Sequence, residues 1–468
     1  MNIRSVFWIA FLGCASSLYA DQFHYRNFLI GDRAIGLGGA YTGISDDSSG
    51  VFYNPAGTAF ALSNDVSGSA NALYQSKVVY KKTIANKDFT ENAGGSIPSF
   101  FGGLQKLDNY VQGLVFAFGI YFDNNLLQDQ NTPINNINLG APSTPCSAGG
   151  PARSPVILER FHRTANQRSS TMNISGSLAY RILPRLAIGI ALNYINVDEL
   201  VQEYQDALTS SDACDANGNT IPLSTLKLQN VRQHLVGYAL QPILSLQAIL
   251  TDRLSWGLTF KWAHYVSQKF ELDSEFRAIQ NSPADQSAID NAAKSGTGAL
   301  ISNATVSEVN ASPRNSNPLG SPPLQIGTGF AYFYSTRLLF SLDATYYGAV
   351  NNAANIEQVG KAYQKNAVIN YAAGVEYYVL PSLPIRVGAF TNYDARPKVK
   401  SNETGQRDHI DYYGESIFLA WVQPNSQLGV GVVLQQGSGD AQKLAGSSVI
   451  QKVSATNYTF AFSATHSL

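Results

Sequence analysis

The feature that most restricts the fold is a period-two alternation, repeated along the chain, of large apolar residues with small ones. From Tyr110 to Phe122 the even positions are Tyr110, Gln112, Leu114, Phe116, Phe118, Ile120 and Phe122, while the odd ones include Gly113, Ala117 and Gly119. Leu186, Ile188, Ile190, Leu192 and Tyr194 alternate likewise with Ala187, Gly189, Ala191 and Asn193. Leu254, Trp256, Leu258, Phe260 and Trp262 do so with Ser255, Gly257, Thr259 and Lys261. The pattern returns at 338–346, 369–379 and 428–434, and at Tyr458, Phe460 and Phe462. Successive side chains of a strand point to opposite faces, so each run presents one greasy row and one small or polar row. A soluble sandwich would bury the greasy row, whereas a membrane barrel would turn it to lipid. Periodicity alone leaves both open.

Turn spacing and the N-terminus favour the barrel. Brief connections near 107–109, 183–184, 251–252, 335–336, 381–382 and 424–425 alternate with long polar stretches near 83–96, 124–167, 200–230, 272–316, 349–366, 394–410 and 437–452. Short turns on one side and long loops on the other are the habit of outer-membrane barrels. Arg4, the apolar run Val6 to Leu12 and the ending Ser16-Ser17-Leu18-Tyr19-Ala20 read as a secretory signal over 1–20. A lipoprotein site at Cys14 is disfavoured by the bulky Phe11-Leu12 before it. No other segment approaches the roughly twenty apolar residues of a spanning helix. Only 14% of residues are charged against 44% hydrophobic, which suits a surface facing lipid. The expected fold is all-β, a transmembrane antiparallel β-barrel of about fourteen strands over 61–468. Pro98 and Pro242 fall inside strands and should mark bulges or ends, since proline cannot donate to a ladder.

A barrel of that size encloses a lumen wider than its own side chains can fill. Residues 21–60 are the natural filler, an N-terminal plug or hatch. Gly36, Gly38, Gly39, Ala40 and Gly43 permit close backbone approach, Asp46-Asp47-Ser48-Ser49 can begin or cap a helical turn, and Pro55 fixes the backbone beside Asn54. Lys261, Asp343, Glu376 and Arg386 fall on the small-residue rows and are candidates for a lumenal charge network that holds the plug or lines a path.

The stretch Arg33 to Gly57, with Asp46-Asp47 and the closing Asn54-Pro55-Ala56-Gly57, resembles the plug of the FadL/TodX family, outer-membrane channels for fatty acids and other hydrophobic molecules. A weaker likeness runs from Ile385 to Pro397. The resemblance implies a monomer of the cell outer membrane with no cofactor and no metal. A hydrophobic small molecule would be caught among outer loops, enter the lumen, and leave sideways into outer-membrane lipid when the plug moves near a kink in the third strand. That strand corresponds to Tyr110–Phe122, so the kink is expected at Asp123, Asn124 and Asn125, with Asp46, Asp47, Asn54, Pro55 and Ala56 as the gating motif. Where fatty-acid members place a basic residue beyond the fifth strand, this chain has Gln202-Glu203-Tyr204. Lys361 and Lys365 are the alternative partners for a ligand head group. Fatty acid and neutral hydrocarbon both stay open as ligands. The last strand, Asn457 to Leu468, is similar to the signal read by the barrel assembly machinery but ends in Leu468 instead of Phe or Trp.

Other chemistry is sparse. Cys146 and Cys214 lie in polar stretches and form either one disulfide between loops or two free thiols. The six histidines show no zinc spacing and no nucleophile partner, so an enzyme is not expected. Gly36-Leu37-Gly38-Gly39 lacks the preceding strand and the lysine of a nucleotide loop, and a net charge of -1 offers no field for nucleic acid. The competing reading is a surface adhesin or structural barrel whose long outer loops bind partners.

Overall fold

A computed structural model describes residues 23–84, 86–140, 145–214, 217, 220–281, 305–311, 322–351, 364–403, 406–443 and 449–468. The expected signal at 1–20 lies outside the described residues. Sixteen strand segments follow one another: β1 Asp65–Ile84, β2 Lys87–Lys106, β3 Leu114–Gly140, β4 Val156–Leu183, β5 Leu186–Cys214, β6 Thr220–Thr251, β7 Leu254–Lys261, β8 His264–Asn281, β9 Thr305–Ala311, β10 Gln325–Phe333, β11 Leu338–Tyr347, β12 Val368–Leu380, β13 Leu383–Asn392, β14 His409–Gln423, β15 Ser426–Ala441 and β16 Gln451–Ser467. All pairings are antiparallel, and the ring closes because β1 pairs with β16 while β5 pairs with β6. β7 and β8 lie end to end along β6. β9 and β10 share the next position, so the sixteen segments form a closed barrel of fourteen staves.

The wall follows the alternation read from sequence. Phe116, Phe118, Ile120, Ile188, Ile190, Leu192, Leu258, Phe260, Trp262, Tyr458, Phe460 and Phe462 are exposed, whereas Ala117, Ala187, Ala191, Thr259 and Ala461 are buried. A continuous belt of outward aromatic and aliphatic side chains is tolerated by lipid but not by water. This is a transmembrane barrel of the outer-membrane type. Among the described residues no helix is long and apolar enough to cross a membrane.

Both prolines do what their missing N–H demands. A register irregularity lies next to Pro98, where Ser69 pairs with Phe100 but Ala70 pairs with Pro98. Pro242 stands where the partner strand breaks between Lys261 and His264, its carbonyl accepting from the Trp262 N–H at 3.3 Å.

Two expectations need correction. The third strand starts at Leu114, not Tyr110. Residues 107–113 form a turn closed by the Gly113 N–H donating to the Asp108 carboxylate at 2.7 Å, with Gly113 at φ 81°. Much of the expected loops at 83–96, 124–167, 200–230 and 272–316 is strand: β3 continues to Gly140, β4 starts at Val156, β5 reaches Cys214 and β6 starts at Thr220. A span needs only about 9–11 tilted residues. The 27 to 32 residues of β3 to β6 therefore stand far above the bilayer. There the strict outward greasy row gives way to mixed residues, although the backbone ladder continues and inward residues such as Ile137, Leu158 and Ala207 still pack together.

Residues 23–64 precede the barrel and are mostly buried. They form α1 (Asp32–Gly36), α2 (Gly50–Tyr53) and a 3-10 turn at Pro55–Phe60. Gly38 and Gly39, at φ 63° and 80°, end α1 in the left-handed region, and the Gly39 N–H returns to the Ala34 carbonyl at 2.8 Å. The segment packs against inward rows around the ring, from Phe100 and Tyr121 on one side to Phe390 and Phe418 on another.

Candidate functional site

The N-terminal segment is fixed to the short strands by charge. Arg33 grips Glu376 with two bonds, Nε to Oε2 at 3.0 Å and an Nη to Oε1 at 2.8 Å, and reaches Asp46 at 3.0 Å. Arg386 donates to the same Glu376 at 2.7 Å and to Asp32 at 2.5 Å, while Gln427 also donates to Asp32. The Asp46 carboxylate further accepts from the Tyr41 hydroxyl at 2.9 Å. Bidentate, buried Arg–carboxylate geometry of this kind compensates the desolvation of each ion only while every partner stays in place.

Of the four lumenal charges expected from sequence, Glu376 and Arg386 meet in this cluster. Asp343 stands apart and accepts the Tyr41 and Thr42 N–H groups at 3.0 and 2.8 Å. Lys261 is separate again, donating to the Phe52 carbonyl at 2.5 Å with its ammonium 4.5 Å from the Phe52 ring centre. Close approach does the rest. A Cβ on Gly374 would come within 2.8 Å of the Leu37 Cα, and one on Gly43 within 2.8 Å of the Phe330 carbonyl carbon. The backbones approach this closely there because each contact has a glycine on one side.

The Asn54-Pro55-Ala56 motif ties the segment to β6. The Asn54 amide donates to the Thr42 carbonyl at 2.9 Å and to Gln247 at 2.7 Å, and its oxygen accepts from the Ala56 N–H at 3.2 Å. Ala56 N–H also donates to Ser245 at 2.9 Å, and Pro55 opens the 3-10 turn, where no N–H is required. Asp47 folds back on its own chain, accepting the Ser49 N–H at 2.9 Å.

Toward β3 and β4 the segment offers apolar contact instead. Phe52 meets Tyr121 edge-on at 5.0 Å, and Ala59 packs with Val115, Ala117, Ala179 and Ala187. Above this level the inner wall is a ladder of amides. Asn193 donates to Asn173 at 3.0 Å and to Gln241 at 3.3 Å, and Asn124 donates to Ser169 at 3.1 Å. The ladder register slips between Phe122 and Asn124, leaving Asp123 as a bulge in β3.

A cavity of about 130 Å³ lies against the N-terminal segment, lined mainly by β1, β2 and β14 to β16 and closed on one side by β3 and β4. Asn27 and Phe28 of the segment face Tyr74, Gln167 and Tyr412 across it, and Asn124 and Asn125 beside the bulge complete that side. Its rim is charged. Arg163 is held by Glu203 at 2.5 Å and Glu91 at 2.8 Å, and Lys443 also reaches Glu91 at 2.8 Å. The Tyr80 hydroxyl lies 2.6 Å from Asp408 and 3.1 Å from Glu91. Burial raises the Asp408 carboxyl above the usual carboxylate range.

Sequence reasoning missed Asp32 and Arg33 as partners of the wall, and missed Arg163, Glu91 and Lys443 altogether. The inward position of Arg163 beside Glu203 was recoverable only by extending the β4 and β5 ladder upward. Lys365 is buried with its ammonium 5.4 Å from the Phe23 ring and 5.7 Å from Tyr25, outside the cavity lining. Lys361 lies outside the described residues. Cys146 is disulfide-bonded and its sulfur is 3.7 Å from the Thr220 hydroxyl. Thr220 pairs across the hairpin with Cys214, whose side chain lies outside the described residues.

These features define a class: a fourteen-stave transmembrane barrel with an N-terminal segment docked against its inner wall and a small cavity above. No protein-family model and no curated protein matches the sequence. Solved structures do share the fold. The chain is similar to a Pseudomonas aeruginosa FadL homologue, with a TM-score of 0.53 and 12% identity over 95% of this chain and 99% of that one. It is similar to the P. putida toluene transporter TodX, with a TM-score of 0.53 and 11% identity over 94% and 98%. The Ralstonia pickettii toluene transporter TbuX gives 0.51 and 10% over 95% and 99%.

Proposed function

We propose that this protein is an outer-membrane channel for passive uptake of small hydrophobic molecules, with residues 23–60 as a plug and the β3 bulge as the lateral exit. One observation carries the reading. The same cavity is floored by the N-terminal segment at Asn27 and Phe28 and walled by Asn124 and Asn125 beside the bulge at Asp123. A solute entering from the loop side reaches the plug and the irregular stave together. The fold shared with a FadL homologue and with toluene transporters supports it.

The physical logic concerns release. Each buried methylene contributes about 0.8 kcal/mol, so an apolar solute leaving water is held increasingly tightly as it grows. An exit to water would return that energy as a barrier, whereas an opening in the wall delivers the solute to lipid of equal polarity. The plug's apolar, uncharged contact with β3 and β4 leaves that side free to yield while the charge cluster anchors the other.

Ser48 and Ser67 offer a lock, because their hydroxyl oxygens lie 2.5 Å apart between segment and β1. In the double variant Ser48→Cys and Ser67→Cys, oxidation should stop toluene entry into proteoliposomes and reductant should restore it. The single-cysteine variants, which keep the Cys146 disulfide, should not respond. Uptake indifferent to the cross-link would show that the segment need not move.

A further inference from the structure

We propose that the cavity above the plug is a binding site for a small uncharged ring-bearing solute with hydrogen-bonding groups, of the phenol type, and is selective against both carboxylates and plain hydrocarbons. This rests on the channel reading and names the solute class that its site takes.

Size sets the first limit. At about 130 Å³ the cavity is close to the roughly 150 Å³ apolar cavity that accommodates benzene, so it suits one ring and not an extended acyl chain. Its aromatic surfaces are Phe28, Tyr74 and Tyr412, with Phe28 and Tyr74 edge-on at 5.3 Å. Such rings supply flat contact for another ring.

Polarity sets the second limit. Gln167 Nε2, Asn457 Oδ1 and Asp408 Oδ1 belong to buried residues that line the cavity, and each lacks a hydrogen-bond partner. These three atoms are one donor and two acceptors, beside the guanidinium groups of Arg396 and Arg407, which have partners of their own. A hydroxyl group can accept from the first and donate to either of the others, satisfying atoms that a hydrocarbon would leave unpaired. A site with buried polar groups discriminates strongly against the analogue that lacks the matching group.

Charge sets the third. The lining carries Glu91 and Asp408 against Arg396 and Arg407, a balanced set. The nearby cations Arg163 and Lys443 are engaged by Glu91 and Glu203, and Arg396 is bonded to Asp394 and the Asp408 carbonyl. A carboxylate entering here meets the open oxygen of Asp408 and no surplus of positive charge. An uncharged solute meets neither penalty.

Calorimetric titration of the full chain in detergent with phenol, toluene and benzoate at neutral pH tests the assignment. Phenol should bind at least about tenfold more tightly than either other compound. Gln167→Leu, and independently Asn457→Leu, should each weaken phenol about tenfold, the effect of one lost hydrogen bond, and leave toluene unchanged. Toluene or benzoate binding as tightly as phenol, no phenol binding, or phenol affinity indifferent to both substitutions would overturn it. If the cysteine lock gates toluene flux yet phenol is not preferred, this assignment falls and the channel reading stands. If phenol binds as stated but the lock is without effect, the plug-gated channel falls and the site stands.

Discussion

The barrel has two unlike walls. β10 to β13 are 9 to 13 residues long, about what a bilayer demands, and their inner rows carry Asp343, Glu376 and Arg386 bonded to the N-terminal segment. β3 to β6 are 27 to 32 residues long, lined above the N-terminal segment by Gln167, Asn173, Asn193 and Gln241. The interior of the short wall is occupied with holding the segment. The tall wall lends Asn124, Asn125, Gln128 and Gln167 to one side of the cavity and bears the bulge. Charge thus holds the segment at the short wall, while β3 and β4 meet it through apolar contact and β6 through the Asn54 and Ala56 hydrogen bonds.

The comparison breaks most visibly at the anchor. Arg386→Leu removes a cation bonded to both Glu376 and Asp32, leaving Asp32 with Gln427 and Glu376 with Arg33 alone. Breaking a buried ion pair from one side costs about 3–5 kcal/mol. The expected result is a lowered melting temperature and a steady leak of ions through planar bilayers, since the segment no longer seals. Unchanged conductance would mean that the short wall does not anchor the seal.

How far each wall is legible in the sequence follows from what its faces touch. Lipid forces size and apolarity on one row, so the alternation at Phe116, Phe118 and Ile120 marks a stave from the sequence alone. Above the bilayer no such pressure acts. Gln128, Gln130, Gln205 and Gln229 are buried by neighbours that are themselves polar, so the upper half of the tall wall reads as loop. The segment's small residues are legible because only they allow backbone contact with the wall. Its partners are not, since Arg33 and Glu376 lie 343 positions apart and Asp32 and Arg386 lie 354 apart, and no local period links them. The expected irregularity at Asp123-Asn124-Asn125 coincides with a bulge in the structure, although the strand bearing it starts and ends elsewhere.

On the tall wall the bulge can be removed without touching the anchor. Deleting Asp123 would let Asn124 follow Phe122 opposite Thr171 and Met172, restoring an even ladder. A regular stave should be at least as stable, while toluene uptake into proteoliposomes falls by about tenfold, equivalent to about 1.4 kcal/mol on the exit barrier. The two walls are then separated by kind of defect: one variant leaks and is unstable, the other is stable and closed. Uptake at the wild-type rate would remove the bulge from the pathway.

The smallest effect concerns Asp408 at the cavity rim, beyond the bilayer. Burial raises its carboxyl above the ordinary 3.8, with Lys443 opposing the shift. For a carboxyl raised by folding, the stability it contributes is full below 3.8 and is lost as pH climbs through the raised value. Glu91, lowered to about 2 against the burial penalty by Lys443 and Arg163, acts in the opposite sense, its contribution present above the ordinary 4.5 and lost as pH falls toward 2. The informative quantity is therefore the difference between wild type and Asp408→Asn, which keeps an oxygen for the Tyr80 hydroxyl and cannot ionise. The variant should match wild type at acid pH and become more stable by at most about 1 kcal/mol as pH rises to neutral, read as a melting-temperature gap that opens with pH. A gap that closes with rising pH would mean that Asp408 is stabilised as the anion, and that the cavity rim holds more positive charge than its balanced lining provides.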